Sequence, residues 1–369
     1  MSKFAVESST QVNMMEVFSD YLDHQKKRIG DVIDACLSQF KAEDWETVVM
    51  MGQEKYKPLF DEHWEVITDY PSRRGKYLRP ALVMLMAEAM SGSSDKAVYT
   101  ATAMQMSEDW ILIHDDWEDG SLERRGKPAL HRLVSSEISV NAGDTLHECM
   151  HRVLSKNLRL LDVNLARRVQ HEFFLMLGRT TFGQYAEIKW TQDNKQDMSD
   201  DDVLFTISGK TVYYTVAGPL RLGAILAGAN DEQLQRIYQF GYPLGLCFQI
   251  RDDVLDLTGD FEGQKKQSLN DIFEGKRTLI LLHLLRHCTA EEHQRVEEIL
   301  GKPREQKTVE EVQYIRDLMD AYGSIRYAEA EAERYAQQAL DMLSTIDFIQ
   351  DAYRPLFCEM VNFVLRRGR

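Results

Sequence analysis

The sequence predicts an all-α protein, and three observations carry that expectation. The 369 residues contain only 8 prolines. Ala, Leu, Met, Glu, Gln and Arg, which enter helices at little cost, recur throughout. Period-two runs flanked by hairpin turns are absent, so no sheet is expected. The length is ample for a sizeable core.

Residues 1–13 read as a loose polar lead, and 14–369 as one helical domain. Val17, Tyr21, Ile29, Ile33, Cys36 and Phe40 share one face of a first helix from Met14 to about Phe40, and a second is expected from Trp45 to about Ile67. A basic loop, Pro71–Pro80, then leads into an oily helix over Ala81–Met90. Its Arg73, Arg74, Lys76 and Arg79 place four positive charges in seven residues of a chain whose net charge is −15. Such a loop can simply be solvated, but its place at a helix start suits an anion such as phosphate.

The run Met104, Met106, Trp110, Ile111, Leu112 and Ile113 reads as a buried helix that ends near Gly120. It runs into Asp115, Asp116, Glu118 and Asp119. Asp115 and Asp119 are i,i+4 neighbours at a helix C-terminus, where the macrodipole disfavours anions and like charges add to the cost. The bland reading is a solvated acidic cap. The sharper one is that a cation is missing, and Mg²⁺, held by one or two carboxylates and completed by substrate phosphates, is the natural candidate. A second basic loop, Leu122–Pro128, follows within a few residues.

Leu130–Lys156 and Asp162–Lys189 read as two long helices, with Gly143-Asp144 and Gly183-Gln184 as points of close backbone approach. Trp190–Ser199 is a polar linker. Asp200–Gly228 is helical again with an interruption at Ser208-Gly209-Lys210-Thr211, which lacks the upstream glycine and the strand of a P-loop. The acidic theme then returns: an oily helix through Gly241–Ile250 ends in Asp252, Asp253 and Asp256, the same i, i+1, i+4 arrangement. Two such clusters on separate helices, facing each other across a cavity, are a device for clamping divalent ions around one diphosphate. Helices at about 278–287, 290–300, 308–321, 323–347 and 349–366 have ordinary amphipathic spacing and read as scaffold.

The strong net negative charge argues against nucleic acid as a partner. Cys36, Cys149, Cys247, Cys288 and Cys358 show no CxxC spacing and suit reduced thiols of a cytosolic protein. With no apolar signal core and no run of ~18 apolar residues, a cytoplasmic location is expected.

Taken together, the motifs resemble those of the trans-isoprenyl diphosphate synthases, the polyprenyl synthetase family that includes farnesyl and geranylgeranyl diphosphate synthases. The resemblance runs from about Arg74 to Leu285 and more weakly to the end of the chain. Gly75–Pro80 looks like that family's G-K-x-x-R-P, and Asp115–Asp119 like its first aspartate-rich motif with Arg124–Pro128 behind it. Gly183–Glu187, Lys210-Thr211, Phe248–Asp256 and Glu274–Leu279 follow in family order. The resemblance implies a single helical bundle around a deep central cavity, usually as a homodimer. It implies that Asp115, Asp116, Asp119, Asp252, Asp253 and Asp256 hold three Mg²⁺ on an allylic diphosphate, with Asp271 supporting the second cluster. Arg124, Lys210, Thr211, Gln249 and Lys266 would contact that diphosphate, and Lys76, Arg79 and Arg125 would bind isopentenyl diphosphate. The allylic C–O bond would ionise, the double bond of isopentenyl diphosphate would attack the cation, and proton loss would complete the longer chain.

Four residues depart from, or qualify, this pattern, and of these Lys265 and Leu269 replace family glycines in the loop before Asp271. Glu108 stands where the family usually presents His or Gln to isopentenyl diphosphate, and a carboxylate there repels a diphosphate unless it is protonated or paired with a lysine or arginine. Trp110, with Ile111, is expected to floor the cavity, which favours a product of about 15 to 20 carbons. Glu108 also keeps open a class I terpene synthase that ionises a prenyl diphosphate without isopentenyl diphosphate, with a noncatalytic regulatory subunit as the remaining alternative.

Overall fold

The structure, a computed structural model, describes residues 14–195, 197–259 and 269–366. In chain order the helices are α1 (Met14–Met50), α2 (Lys57–Ser72), α3 (Leu78–Ser91), α4 (Val98–Glu118), α5 (Leu130–Leu133), α6 (Ser136–Ser155), α7 (Val163–Gln192) and α8 (Asp200–Ile207). A π-helical segment, Ser208–Ala217, then leads into α9 (Gly218–Leu226). The rest are α10 (Asp231–Thr258), α11 (Asn270–Glu274), α12 (Leu279–His287), α13 (Ala290–Leu300), α14 (Val309–Ala321), α15 (Ser324–Thr345) and α16 (Arg354–Arg366). The all-α expectation holds. The small exception among the described residues is a pair of two-residue strands, β1 (Glu123–Arg124) and β2 (Lys127–Pro128), antiparallel across a turn at Arg125-Gly126.

Several helix starts are written in the sequence as Ser, Thr or Asn followed three residues later by a side chain that reaches back. Ser199 with Asp202, Asn230 with Gln233, Thr289 with Glu292 and Thr308 with Glu311 each form a reciprocal cap. Elsewhere the boundaries differ from expectation. The first helix runs on to Met50, because Lys41–Glu46 contains no breaker; the chain turns at Gly52, in the left-handed region at φ +67°. The stretch 130–156 is two helices, since the Ser135 hydroxyl accepts from the Ile138 N–H and starts α6 afresh.

The chain packs as two compact units. One holds Ser19–Gln170 with Leu222–Gly228; the other holds the described residues of Met1–Phe18, His171–Arg221 and Ala229–Arg369. In the first, α4 lies against α3 and α6 and is buried continuously over Thr100–Asp109. In the second, α10 packs on α15, α16 and the π segment and is buried over most of Phe240–Leu257. Gly241 and Gly245 make that packing possible: a Cβ on either would lie 2.9 Å from Ala217 Cα or 2.8 Å from Val212 Cα. Each fully buried Leu, Ile or Met contributes about 1.5–3 kcal/mol. Thus each aspartate motif ends a helix that its own unit encloses, and the core fixes where the carboxylates emerge.

Cys36, Cys149 and Cys247 are buried and all five cysteines are unpaired. Burial pushes the Cys149 and Cys247 thiols up to about 12, which makes them inert. Among the described residues no helix is long and apolar enough to cross a membrane.

Candidate active site

α4 closes as the sequence indicates: the Asp119 N–H donates to Asp115 O at 2.8 Å, and Gly120 follows at φ +63°. The three aspartates there are not equivalent. Asp116 is buried and fully engaged. It accepts from the Tyr70 hydroxyl and from the Arg124 guanidinium, whose Nε lies 2.9 Å from Oδ2. The β1–β2 turn brings Arg124 back over the helix end. Burial would favour a neutral guanidinium, but the Asp116 carboxylate outweighs it and holds Arg124 charged more firmly than usual. Burial and the neighbouring Asp116 likewise push the Tyr70 phenol up, so it stays a donor. Asp115 and Asp119 are only half-buried.

The basic loop is strained. Arg74 and Tyr77 sit at φ +49° and +59°, and Arg125 in the second loop at +54°. Left-handed conformations cost roughly 1–2 kcal/mol per non-glycine residue and persist only where surrounding contacts enforce them. Those contacts are ionic. Arg73 pairs with Asp69 at 2.6 Å and donates to the Arg124 carbonyl at 3.0 Å, and Arg74 pairs with Asp34 and donates to Tyr77 Oη at 3.1 Å. Arg125 donates to Asp109 Oδ1 at 2.9 Å and to the Tyr70 carbonyl at 3.2 Å. Glu108 lies 3.1 Å from Arg79 and 3.5 Å from Arg125. Burial pushes Asp109 up to about 6, against the pull of Arg125. Lys76 is exposed.

In the other unit α10 ends at Gly259, φ +74°. A chain of hydrogen bonds runs to its carboxylates: Thr211 Oγ1 donates to Gln249 Oε1 at 2.7 Å, and Gln249 Nε2 donates to Asp253 Oδ1 at 2.8 Å. Asp256 accepts the Asp271 N–H on its side chain and the Leu269 N–H on its carbonyl, both at 2.9 Å. Leu269 holds φ +68°, a conformation natural to glycine, and therefore carries strain. Lys210 pairs with Glu187 at 3.1 Å. Lys276 lies 2.7 Å from Glu274 and 3.8 Å from Asp271. Burial, with Asp252 adding to it, pushes Asp253 up to about 7, and burial with Asp256 holds Asp271 well above the usual carboxylate range. Lys266 lies outside the described residues.

Gly183 fixes the position of Lys210. A Cβ there would lie 2.4 Å from the Lys210 amide nitrogen and 2.8 Å from the Gly209 carbonyl carbon, both backbone atoms that cannot turn aside. Gly183→Ala is expected to cost about 1–3 kcal/mol and to lower turnover by displacing Lys210. Thermal melting and steady-state rates check the two effects, and an unchanged melting temperature would refute the close-packing argument.

Among the described residues no three His, Cys, Asp or Glu side chains converge on one coordination point. The donors that gather at the helix ends are carboxylate oxygens, which suit a hard cation. Mg²⁺ normally takes one or two protein carboxylates and fills its shell with phosphate and water, so a pre-formed cage is not required. Burial first, and neighbouring carboxylates second, raise Asp253 and Asp271, and a cation beside them would offset both effects. The residues present therefore fit such an ion.

The polyprenyl synthetase family model matches residues 61–319. The chain belongs to the polyprenyl synthetase family. It is a short-chain prenyltransferase. Geranylgeranyl diphosphate synthase of Sulfolobus acidocaldarius is 30% identical over 355 residues, covering 96% of this chain and 100% of that protein. The crystal structure of geranylgeranyl pyrophosphate synthetase from Pyrococcus horikoshii superposes with a TM-score of 0.78 at 26% identity, over 95% of this chain and 99% of that one. Geranylgeranyl pyrophosphate synthase of Corynebacterium glutamicum, crystallised with isoprenyl diphosphate and magnesium, shares the fold with a TM-score of 0.80 at 23% identity, over 92% and 99%.

In this prenyltransferase the remaining expected residues are also placed. Trp110 and Ile111 are half-buried on α4. The Trp110 indole stacks on His147, centroids 4.0 Å apart and planes at 22°, and meets His114 edge-on at 6.1 Å. Gly143 does mark a close approach, though to a side chain: a Cβ there would lie 2.3 Å from His114 Nε2. Tyr70 and Asp109 lie in helical runs outside the motifs, and Glu187 closes the Gly183–Glu187 motif without spacing to show its ion pair with Lys210. Lys307 donates to the Phe273 carbonyl at 2.8 Å and Arg304 bonds Glu274 at 3.1 Å, holding α11 from outside the motifs.

Proposed function

We propose that this prenyltransferase condenses an allylic diphosphate with isopentenyl diphosphate, using Mg²⁺, to give a trans-prenyl diphosphate of about 15 to 20 carbons. The reading is supported above all by the retention, in a member of this family, of two aspartate motifs that each end an enclosed helix. Asp115, Asp119, Asp252 and Asp256 are the proposed principal Mg²⁺ ligands, with Asp116 and Asp253 beside them and three ions as the expected complement. When bound, Mg²⁺ supplies the charge that stabilises the departing diphosphate.

The chain's own residues do the rest. Lys210, with Glu187 as its counter-ion, presents a cation to the allylic diphosphate, and Thr211 would turn its hydroxyl from Gln249 to that anion. Arg124, which anchors Asp116, and Lys266 are proposed to contact the same diphosphate. Lys76, Arg79 and Arg125 take isopentenyl diphosphate. Apolar helix faces exclude water, so the allylic cation meets the double bond instead of hydrolysing. The two units are proposed to act as one domain, and the protein to work as a cytoplasmic homodimer, on the strength of the family resemblance.

Incubating the full chain with Mg²⁺, isopentenyl diphosphate and a series of allylic diphosphates tests the reading. Chain-lengthened diphosphates are expected; hydrocarbons or alcohols formed without isopentenyl diphosphate, or no turnover, would overturn it. Trp110 is pinned by His147 and so acts as a fixed wall. Trp110→Ala is expected to shift the main product upward by one or more five-carbon units, read by chromatography of the dephosphorylated products, and an unchanged distribution would remove Trp110 from length control.

A further inference from the structure

The two arginines proposed for isopentenyl diphosphate already have anionic partners within the same unit. Glu108 places one carboxylate oxygen 3.1 Å from Arg79 and the other 3.5 Å from Arg125. Asp109 takes the other face of Arg125 at 2.9 Å. Arg125 has little freedom to leave. It also bonds the Tyr70 carbonyl at 3.2 Å, and its guanidinium fills the space above Gly75, where a Cβ would lie 2.6 Å from the nearest nitrogen. The side chains of Glu108 and Arg125 are each 11% exposed, so water screens their attraction weakly, whereas Arg79 at 21% is more open. Glu108 and Asp109 thus set two carboxylates against the guanidinium groups of Arg79 and Arg125, and the neighbouring Arg74 is turned to Asp34.

We propose that Glu108 is a built-in competitor for the homoallylic diphosphate: its carboxylate occupies Arg79 and Arg125 in place of a phosphate, and its displacement sets the concentration of cosubstrate this enzyme needs. The proposal rests on the assignment of Arg79 and Arg125 to isopentenyl diphosphate. Its physical content is that an incoming dianionic or trianionic phosphate must break the Glu108 contacts and then sit beside that carboxylate, because the helix that carries Glu108 is buried and cannot carry it away. Glu108 thus selects against weak or dilute cosubstrate without touching the allylic diphosphate, and it acts on binding rather than on the chemical step.

Glu108→Gln keeps the shape and removes the charge. At saturating allylic diphosphate and Mg²⁺, the KM for isopentenyl diphosphate is expected to fall roughly tenfold, with kcat within about twofold and the KM for the allylic substrate unchanged. A KM that stays the same or rises overturns the proposal, since Glu108 would then serve only to align the arginines. Glu108→Asp, which withdraws the carboxylate by one methylene but keeps its charge, gives a second reading should the glutamine variant fold poorly: a smaller fall in the same KM supports the proposal and a rise opposes it. Calorimetric titration of metal-free protein with inorganic diphosphate separates this inference from the functional reading. Tighter binding to Glu108→Gln than to wild type supports the competitor role even if no elongation is seen, and equal binding refutes it even if elongation is normal.

Discussion

Replacing Asp115 or Asp252 by alanine is expected to lower kcat by about three orders of magnitude or more while leaving the fold intact. Loss of one preorganised electrostatic contact to a developing anion typically costs 10²–10³ in rate, and a lost metal ligand removes more than one such contact. The stability side of the prediction follows from position. Asp115 and Asp252 are half-buried carboxylates at helix C-termini beside other carboxylates, so their removal relieves repulsion. Asp115 also attracts Arg124, so circular dichroism and melting should show folded variants with melting points close to the parent's. A fully active variant would sink the metal-clamp argument.

Arg124→Ala is expected to be the most destabilising single change near the site. Asp116 is 1% exposed and both its oxygens meet Arg124. Among the described residues, truncating one partner leaves the buried charge with the Tyr70 hydroxyl as its remaining side-chain donor, and breaking such a pair costs about 3–5 kcal/mol. Denaturant unfolding of Arg124→Ala measures the loss, and the double variant with Asp116→Asn should recover a large part of it, because a neutral amide does not need a counter-charge. If the single and double variants were equally unstable, the cost would lie in the β1–β2 turn and not in the ion pair. Activity should fall in both, because the double variant restores the fold without restoring either the Arg124 cation or the Asp116 carboxylate.

These expectations start from motifs that are legible in the sequence, because carboxylates crowded at the end of an oily helix are costly in any fold. Amphipathic spacing and reciprocal caps such as Thr308 with Glu311 made the scaffold helices readable close to their observed bounds. What stayed hidden depends on partners brought together by packing. The burial of Asp116 under Arg124 and Tyr70, while Asp115 stays half-open, cannot be read from spacing that treats all three aspartates alike. Leu269 looks like a simple loss of a family glycine until its φ of +68° shows that the glycine's conformation is kept without the glycine. The break at Ser135 is invisible to periodicity, which carries on past a cap that only the Ile138 N–H reveals. Glu108 stands out by its type, but its two arginines lie in separate basic loops, and neither is at helical spacing from it.

The π-helical segment Ser208–Ala217 gives the chain an unusual inheritance. An α-helix advances about 100° per residue, so a wider turn acts as a phase slip between the helix before it and the helix after it. Lys210 and Thr211 stand early in that slip and meet Glu187 and Gln249, while Val212 and Ala217 meet the glycines of α10. Both sets of neighbours are satisfied only with the present number of residues between them. A one-codon deletion here would restore ordinary α-helix and rotate one set out of register with the other, although every remaining residue would still favour a helix. Ser208–Ala217 thus has a length as tightly constrained as any motif.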